Sequence, residues 1–153
     1  MAVTELIIGP GSDADREWAA QLMVASDPWV TLGRTIERCR AFCSEPEYEF
    51  FVARAEGRPL GFLLLDPRGA MNSPYVAIVA VAPEARGRRV GSRLMAFAEE
   101  RCRHRARHIF LCVSSFNSRA RRLYERLGYQ VVAELKDYAM EGASEFLMHK
   151  RLS

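Results

Sequence analysis

The chain has 153 residues, which is long enough for one domain with a buried core. Apolar residues make up 49% and charged residues 27%, as in ordinary globular proteins, and no apolar run approaches the roughly 20 residues of a membrane-spanning helix. The net charge is +3. The N-terminus lacks the pattern of a signal peptide, so we expect a cytoplasmic protein without a membrane segment. The four cysteines form no CxxC pair, so we expect no bound metal.

The first third of the chain reads as a strand followed by two helices. Residues 3–9 are apolar enough for a strand, and Ser12 and Asp13 are both suitable N-caps for the helix after it. Asp27-Pro28-Trp29 breaks that helix, and a second helix is expected to begin at Thr31.

Three strands follow. Residues 49–55 and 60–66 are strand-like and are joined by a short turn, so they predict a hairpin. The second of them is expected to end at Pro67-Arg68-Gly69. Residues 75–82 are nearly all apolar, which predicts a central strand that is buried on both faces.

The last part of the chain alternates helix, strand, helix and two strands. Apolar spacing predicts a helix from about Val90, a strand over residues 108–114, a short helix capped by Asn117, and strands over 129–135 and 145–152. The order is β-α-α-β-β-β-α-β-α-β-β, a mixed α/β (α+β) fold in which one strand–helix–strand crossover forces a parallel pair. We expect one domain over residues 1–153.

A basic turn joins the apolar strand to the next helix. It contains Arg86, Gly87 and Gly91, and the two glycines allow a ligand to approach the backbone closely. The N–H groups and the dipole at a helix start attract anions, so the turn predicts a pyrophosphate site. A strand–helix turn that is basic for no functional reason is the alternative.

A second segment makes the pattern more specific. Asn117 is followed by a Leu-Tyr dipeptide that ends at Tyr124. Together the two segments resemble the GNAT superfamily of acetyltransferases, whose pattern is R/Q-x-x-G-x-G/A followed by an Asn and a Leu-Tyr. Arg86, Gly91, Asn117 and Tyr124 match this pattern, whereas Arg89 stands where the family has glycine.

The resemblance implies that the fourth and fifth strands run parallel but splay apart, with the pantetheine arm of acetyl-CoA in the gap. The amide of Val81 would then donate to the oxyanion, and Tyr124 would assist departure of the CoA thiolate. Asn117 would contact the cofactor arm, or serve only as a helix cap. The residues assigned to acetyl-CoA are Val79, Ala80, Val81, Arg86, Gly87, Arg88, Arg89, Gly91, Ser92, Asn117, Ala120 and Tyr124.

The general base is not identified by the resemblance. Related enzymes often place a glutamate on the fourth or fifth strand, but Tyr75 and Cys112 occupy these positions here. A less basic amine or a proton relayed by water would suit this absence, and Tyr75, Glu134 and Tyr138 remain candidate participants.

A narrower resemblance concerns the acceptor. Asp27-Pro28-Trp29 and Lys136-Asp137-Tyr138 lie where ribosomal-protein alanine N-terminal acetyltransferases have a Pro-Trp dipeptide and an Asn-Tyr-Tyr stretch. This resemblance implies that Trp29 and Tyr138 border the substrate, although Trp29 would equally serve as a hydrophobic plug. Tyr75, which stands where related enzymes have a glutamate, is also expected to border the substrate. The acceptor amine itself (a protein N-terminus, a lysine or a small molecule) is left open.

Two other functional classes fit parts of the chain. Arginine-rich stretches at residues 86–89, 101–107 and 119–126 would suit a basic nucleic-acid-binding module, but no nucleic-acid-binding motif accompanies them. A non-catalytic acetyl-CoA sensor would explain the missing glutamates, while Tyr124 argues for an enzyme. Either a monomer or a homodimer is compatible with the sequence.

Overall fold

A computed structural model describes residues 5–153, and its elements follow the expected order. The strands are β1 (Ile7–Pro10), β2 (Glu49–Ala55), β3 (Arg58–Ala70), β4 (Ser73–Val81), β5 (His108–Ser114), β6 (Gln130–Lys136) and β7 (Ser144–Arg151). The α-helices are α1 (Asp13–Val24), α2 (Ile36–Cys43), α3 (Val90–Cys102) and α4 (Ser118–Arg126). Val3 and Thr4, with which the expected first strand begins, lie outside the described residues.

The seven strands form one mixed sheet in the order β1-β2-β3-β4-β5-β7-β6. Every neighbouring pair is antiparallel except β4 and β5, which α3 connects as a crossover. The predicted mixed α/β architecture with a parallel central pair is therefore confirmed.

Helices cover the sheet from both sides and enclose two apolar clusters. On one face α1 and α2 bury Met23 and Cys43 against Phe62 of β3. On the other face α3 and α4 bury Leu94 and Tyr124 against β4, β5 and β7. No helix within residues 5–153 is long and apolar enough to cross a membrane.

The second helix begins later than the sequence predicted. Its N-cap is Thr35, whose hydroxyl accepts the Arg38 N–H at 3.2 Å. The preceding segment forms turns instead, because the Asp27 carboxylate accepts both the backbone N–H and the hydroxyl of Thr31. Gly33, with φ of 68°, then reverses the chain before the helix starts. The expected start at Thr31 was wrong because these local side-chain bonds compete with helix formation.

β3 also continues beyond its expected end. Pro67-Arg68-Gly69 lies within the strand, where a register irregularity between Asp66 and Ala70 accommodates a proline that has no N–H to donate. The chain reverses at Met71 and Asn72, which both have positive φ, as a tight hairpin turn requires.

β4 is not buried on both faces, contrary to the prediction. Val76 and Ile78 are buried, but Tyr75, Ala77 and residues 79–81 are only half-buried. The reason is that β5 leaves β4 after a short contact, so that part of this apolar strand forms the wall of an open cleft.

Candidate functional site

The cleft lies where β4 and β5 separate. The two strands pair only at Tyr75–Phe110 and Val76–Leu111, and no further pairing is present between these strands as far as Val81 and Ser114. The splayed parallel pair implied by the sequence resemblance is thus present. It leaves one edge of β4 without a neighbouring strand.

The backbone of β4 directs hydrogen-bonding groups into this gap. The Ala82 N–H donates to Leu60 O at 2.8 Å, so the backbone groups of Ala82 and Ala80 point toward β3. Because alternate residues of an antiparallel strand bond to the same neighbour, the N–H and C=O of Val79 and Val81 point away from β3, toward the gap. An extended ligand could therefore pair with this edge as an added strand.

The cleft has a volume of about 770 Å³, within the range of small-molecule sites. It is bounded by β4, β5, the starts of α3 and α4, and the turns between α1 and α2. Of the sequence-predicted site residues, those that line it are Trp29, Tyr75, Val79, Ala80, Val81, Arg86, Gly87, Arg89, Gly91, Ser92, Asn117, Ala120 and Tyr124.

Three residues named from the sequence lie outside the cleft wall. Arg88 is exposed in the turn before α3, Glu134 lies on β6, and Tyr138 is 73% exposed in the loop between β6 and β7. The assignments of Arg88 to the cofactor and of Tyr138 to the acceptor stay predictions.

The start of α3 forms the basic end of the cleft. Its N-cap, Arg89, has φ of 65° and makes no side-chain capping hydrogen bond. The first-turn N–H groups of α3 therefore remain available at the positive end of the helix dipole. This geometry also explains why the family pattern has glycine here, since positive φ costs a non-glycine residue about 1 kcal/mol or more.

Four arginines line the cleft: Arg86 and Arg89 in the turn before α3, and Arg119 and Arg126 on α4. None of them takes part in an ion pair within the described part of the chain. The Arg86 side chain folds back so that Nε donates to Val81 O at 3.4 Å. The result is a concentration of uncompensated positive charge next to free backbone N–H groups, which suits a phosphorylated ligand. The sequence analysis did not assign Arg119 and Arg126 to the cofactor, because it considered their stretch only as part of a basic surface.

Tyr124 lies between α4 and the core, with its ring 7% exposed. It packs edge-on against Tyr129, with ring centroids 6.1 Å apart, and it also lines the cleft. Burial raises the pKa of Tyr124 above its ordinary value, so the hydroxyl stays protonated near neutrality. The group can therefore act as a hydrogen-bond donor in the cleft.

Asn117 has the capping role that the sequence left open. Its side-chain oxygen accepts the Ala120 N–H at 3.3 Å at the start of α4. Because Asn117 and Ala120 also line the cleft, the cap places the start of α4 beside the gap. A contact of Asn117 with a ligand remains a prediction.

Part of the cleft wall consists of uncharged side chains. Trp29 and Leu32 come from the turns after α1, and Tyr75 and Cys112 come from the point where β4 and β5 diverge. Burial raises the pKa of the Tyr75 hydroxyl and of the Cys112 thiol, and the charge of nearby Glu145 raises both further. Both groups are therefore neutral near pH 7.

Glu145 is the acidic residue that sequence reasoning missed. It lies at the start of β7, opposite Ser114 at the end of β5, and it lines the cleft. A search for a glutamate on the fourth or fifth strand could not find it, because only the pairing of β7 with β5 brings it here. Within residues 5–153 there is no group of three acidic, histidine or cysteine side chains that could hold a metal ion.

Comparison with known sequences gives a match over most of the chain. A sequence model of the Acetyltransferase (GNAT) family matches residues 15–129. An uncharacterized N-acetyltransferase of Methanocaldococcus jannaschii is 33% identical over 106 residues, which are 67% of this chain and 65% of that relative. The match therefore spans just under two thirds of the relative's length.

Solved structures share the architecture. The ribosomal-protein-S18-alanine N-acetyltransferase of Escherichia coli matches with a TM-score of 0.79 and 16% identity, covering 97% of this chain and 95% of that one. An aminoglycoside 6'-N-acetyltransferase complexed with coenzyme A matches with a TM-score of 0.76 and 17% identity, covering 96% and 97%. At these identities the likeness shows a common fold and leaves the substrate open.

Proposed function

The chain belongs to the acetyltransferase (GNAT) family, and from that premise we propose that it transfers the acetyl group of acetyl-CoA to a primary amine. The observation that carries this proposal is the gap between β4 and β5, with a free strand edge on one side and a basic helix start at one end. A coenzyme A complex of a protein with the same fold supports the assignment of the cofactor.

The residues of the cleft fit the parts of acetyl-CoA. The pyrophosphate would lie at the start of α3, where free N–H groups and Arg86, Arg89 and Arg119 supply positive charge. The pantetheine amides would pair with the exposed edge of β4 at Val79. Acetyl-CoA supplies the activated acetyl thioester, and no metal is needed for its transfer to an amine.

Two groups would act on the reacting atoms. The Val81 N–H, which points into the gap, would donate to the thioester oxygen as that oxygen gains negative charge. The Tyr124 hydroxyl would donate to the sulfur as the C–S bond breaks. Because burial raises the pKa of Tyr124, a hydrogen bond to the thiolate is a better description of its role than complete proton transfer.

The nucleic-acid alternative loses much of its basis in the structure. Several arginines of the basic stretches are paired with carboxylates, among them Arg101 with Glu49 at 2.8 Å and Arg121 with Glu125 at 3.1 Å. Paired guanidinium groups contribute less to an extended basic surface, whereas the unpaired ones of the cleft converge on one small-molecule site.

The first test is stabilisation by the cofactor. Ligand at 100 times its dissociation constant should add about 2.7 kcal/mol to the free energy of unfolding, which raises Tm by roughly 5–10 °C. Differential scanning fluorimetry with acetyl-CoA would measure this shift, with NAD as the control nucleotide. A Tm that millimolar acetyl-CoA leaves unchanged would contradict the cofactor assignment.

Gly91 offers a test of the phosphate end of the cleft. A Cβ at this position would lie 3.4 Å from Leu123 Cδ2 and 3.6 Å from Val81 Cγ2, so Gly91→Ala should fold normally. Gly91→Val adds two carbon atoms where the ligand approaches α3, and we expect the Kd for acetyl-CoA to rise by about tenfold or more, as for the loss of about 1.4 kcal/mol. Calorimetry would measure the affinity and circular dichroism the fold. Equal Kd values for the alanine and valine variants would show that the phosphate site lies elsewhere.

The acceptor would be identified by a turnover screen. Release of CoA would be followed with an alanine-initiated peptide, an N-terminally blocked lysine peptide, spermidine and kanamycin as acceptors. These cover the α-amine, the ε-amine and small-molecule amines. Binding of acetyl-CoA without turnover of any acceptor would favour the sensor over the enzyme.

A further inference from the structure

Glu145 has a carboxylate oxygen that is enclosed but makes no hydrogen bond. Within residues 5–153, Oε2 of Glu145 is the one buried side-chain oxygen or nitrogen without a partner. Leaving a buried polar group unpaired is costly, and the cost is greater for a charged group. The enclosed Oε2 therefore indicates that a bound ligand donates a hydrogen bond to Glu145.

The position of Glu145 in the cleft indicates which part of a bound ligand could supply this donor. The residue lines the cleft beside the end of β5, and its charge acts on Tyr75 and Cys112, at the point where β4 and β5 diverge. The arginines of the cleft lie elsewhere, in the turn before α3, where the phosphates are proposed to bind, and on α4. Near Glu145 the cleft holds the uncharged Tyr75 and Cys112 instead.

The other candidate groups either have hydrogen-bond partners or are uncharged. Asp27 is the other acidic residue of the lining, but its Oδ1 accepts the backbone N–H of Thr31 at 3.1 Å and the Thr31 hydroxyl at 2.6 Å. Glu134 accepts the Ser144 hydroxyl at 2.6 Å and does not line the cleft. Tyr75 and Cys112 lie near Glu145 and are uncharged near neutrality, because burial raises the pKa of both.

We infer that the Glu145 carboxylate binds the ammonium group of the acceptor and takes its proton, an inference that rests on the proposed function. The acceptor ammonium gives one proton to Glu145, and the resulting free amine attacks the thioester carbon. A C–N bond forms and the C–S bond breaks. The amide loses its extra proton to solvent, and the CoA thiolate takes one proton from solvent to become the thiol. Glu145 then releases its proton to solvent, so that one proton is set free in each turnover.

Binding of the amine can be measured without turnover. The protein would be saturated with CoA, which lacks the acetyl group, and titrated by calorimetry with each of the four acceptors named above. We expect Glu145→Gln to weaken binding of the preferred amine by about tenfold or more, because a charge-assisted hydrogen bond is lost. Equal affinities in the two proteins, or no amine binding to the wild-type complex, would overturn the inference.

Turnover provides the second readout. At pH 7, kcat/KM of Glu145→Gln should fall about 100-fold, the lower end of the range for general base catalysis, with the Kd for acetyl-CoA unchanged. The loss should shrink toward pH 9 with the alanine-initiated peptide, whose α-amine has a pKa of about 8 and deprotonates without help. A loss of kcat/KM that is independent of pH, or one produced by Glu134→Gln instead, would contradict the role of Glu145.

Two controls separate catalysis from folding. Glu141→Gln makes the same chemical change at an exposed position of the β6–β7 loop, outside the cleft, and should retain wild-type turnover. Because Glu145→Gln removes an enclosed charge that has no partner, its Tm in the absence of ligand should equal or exceed that of the wild type. A lower Tm would indicate a structural role. Absence of turnover in the wild type would count against the proposed function, whereas the calorimetric comparison would still decide the role of Glu145.

Discussion

Replacing Tyr124 by phenylalanine is expected to lower kcat about 100-fold while leaving the Kd for acetyl-CoA unchanged. The substitution removes one hydroxyl and retains the ring that packs against Tyr129 and the core. Without the hydroxyl, the departing thiolate loses a hydrogen-bond donor that the buried site holds in place. Steady-state kinetics on the best acceptor of the screen would measure the effect.

The loss of kcat in Tyr124→Phe should not depend on pH. Since burial raises the pKa of Tyr124, the hydroxyl remains protonated from pH 6 to 9, and the ratio of wild-type to variant kcat should be constant over that range. Tyr48→Phe is the matched control, because Tyr48 packs against the other apolar cluster and does not line the cleft. Equal kcat values for the wild type and the Tyr124 variant would leave Tyr124 as a packing residue only.

The second large effect is expected at Glu99, which lies on α3 and is 7% exposed. Its Oε2 accepts the Tyr129 hydroxyl at 3.0 Å and its Oε1 accepts Lys150 Nζ at 2.8 Å. Glu99 therefore links three parts of the chain: α3, the segment that follows α4, and β7. Glu99→Ala should lower the free energy of unfolding by about 3 kcal/mol, the lower end of the range for a broken buried pair, because the Lys150 side chain is 27% exposed and can be rehydrated.

Glu100 provides the matched control for this prediction. It is the next residue of α3 and pairs with Arg103 at 3.2 Å, but its side chain is 70% exposed. Glu100→Ala should cost less than about 1 kcal/mol, as surface ion pairs do. Urea unfolding followed by circular dichroism would compare the two variants. Similar losses at both positions would mean that the Glu99 cluster contributes no more than a surface pair.

Sequence reasoning was most successful where the signals are local. The order of the elements, the N-caps at Ser12 and Asn117, and the basic turn before α3 all depend on residues within a few positions of one another. It failed where side chains compete with the backbone, as at Asp27 and Thr31, and where an irregular strand continues past a proline, as at Pro67. At Asp27 and Thr31 local side-chain bonds selected turns over helix, whereas at Pro67 the pairing of β3 with β4 continued the strand past the proline.

The amino-acid sequence by itself determined the fold class and one half of the cleft. Apolar periodicity and capping residues act over one turn of helix or a few strand positions, so the strand, the basic turn and α3 are readable together. Only the tertiary structure decided that part of β4 faces an open gap and that Glu145 enters it from β7. The pairing of β5 with β7 joins residues that are distant in the chain, and neither Ser114 nor Glu145 carries a local signal of that contact. The separation of β4 from β5 likewise depends on how the whole sheet is packed between its two helical layers.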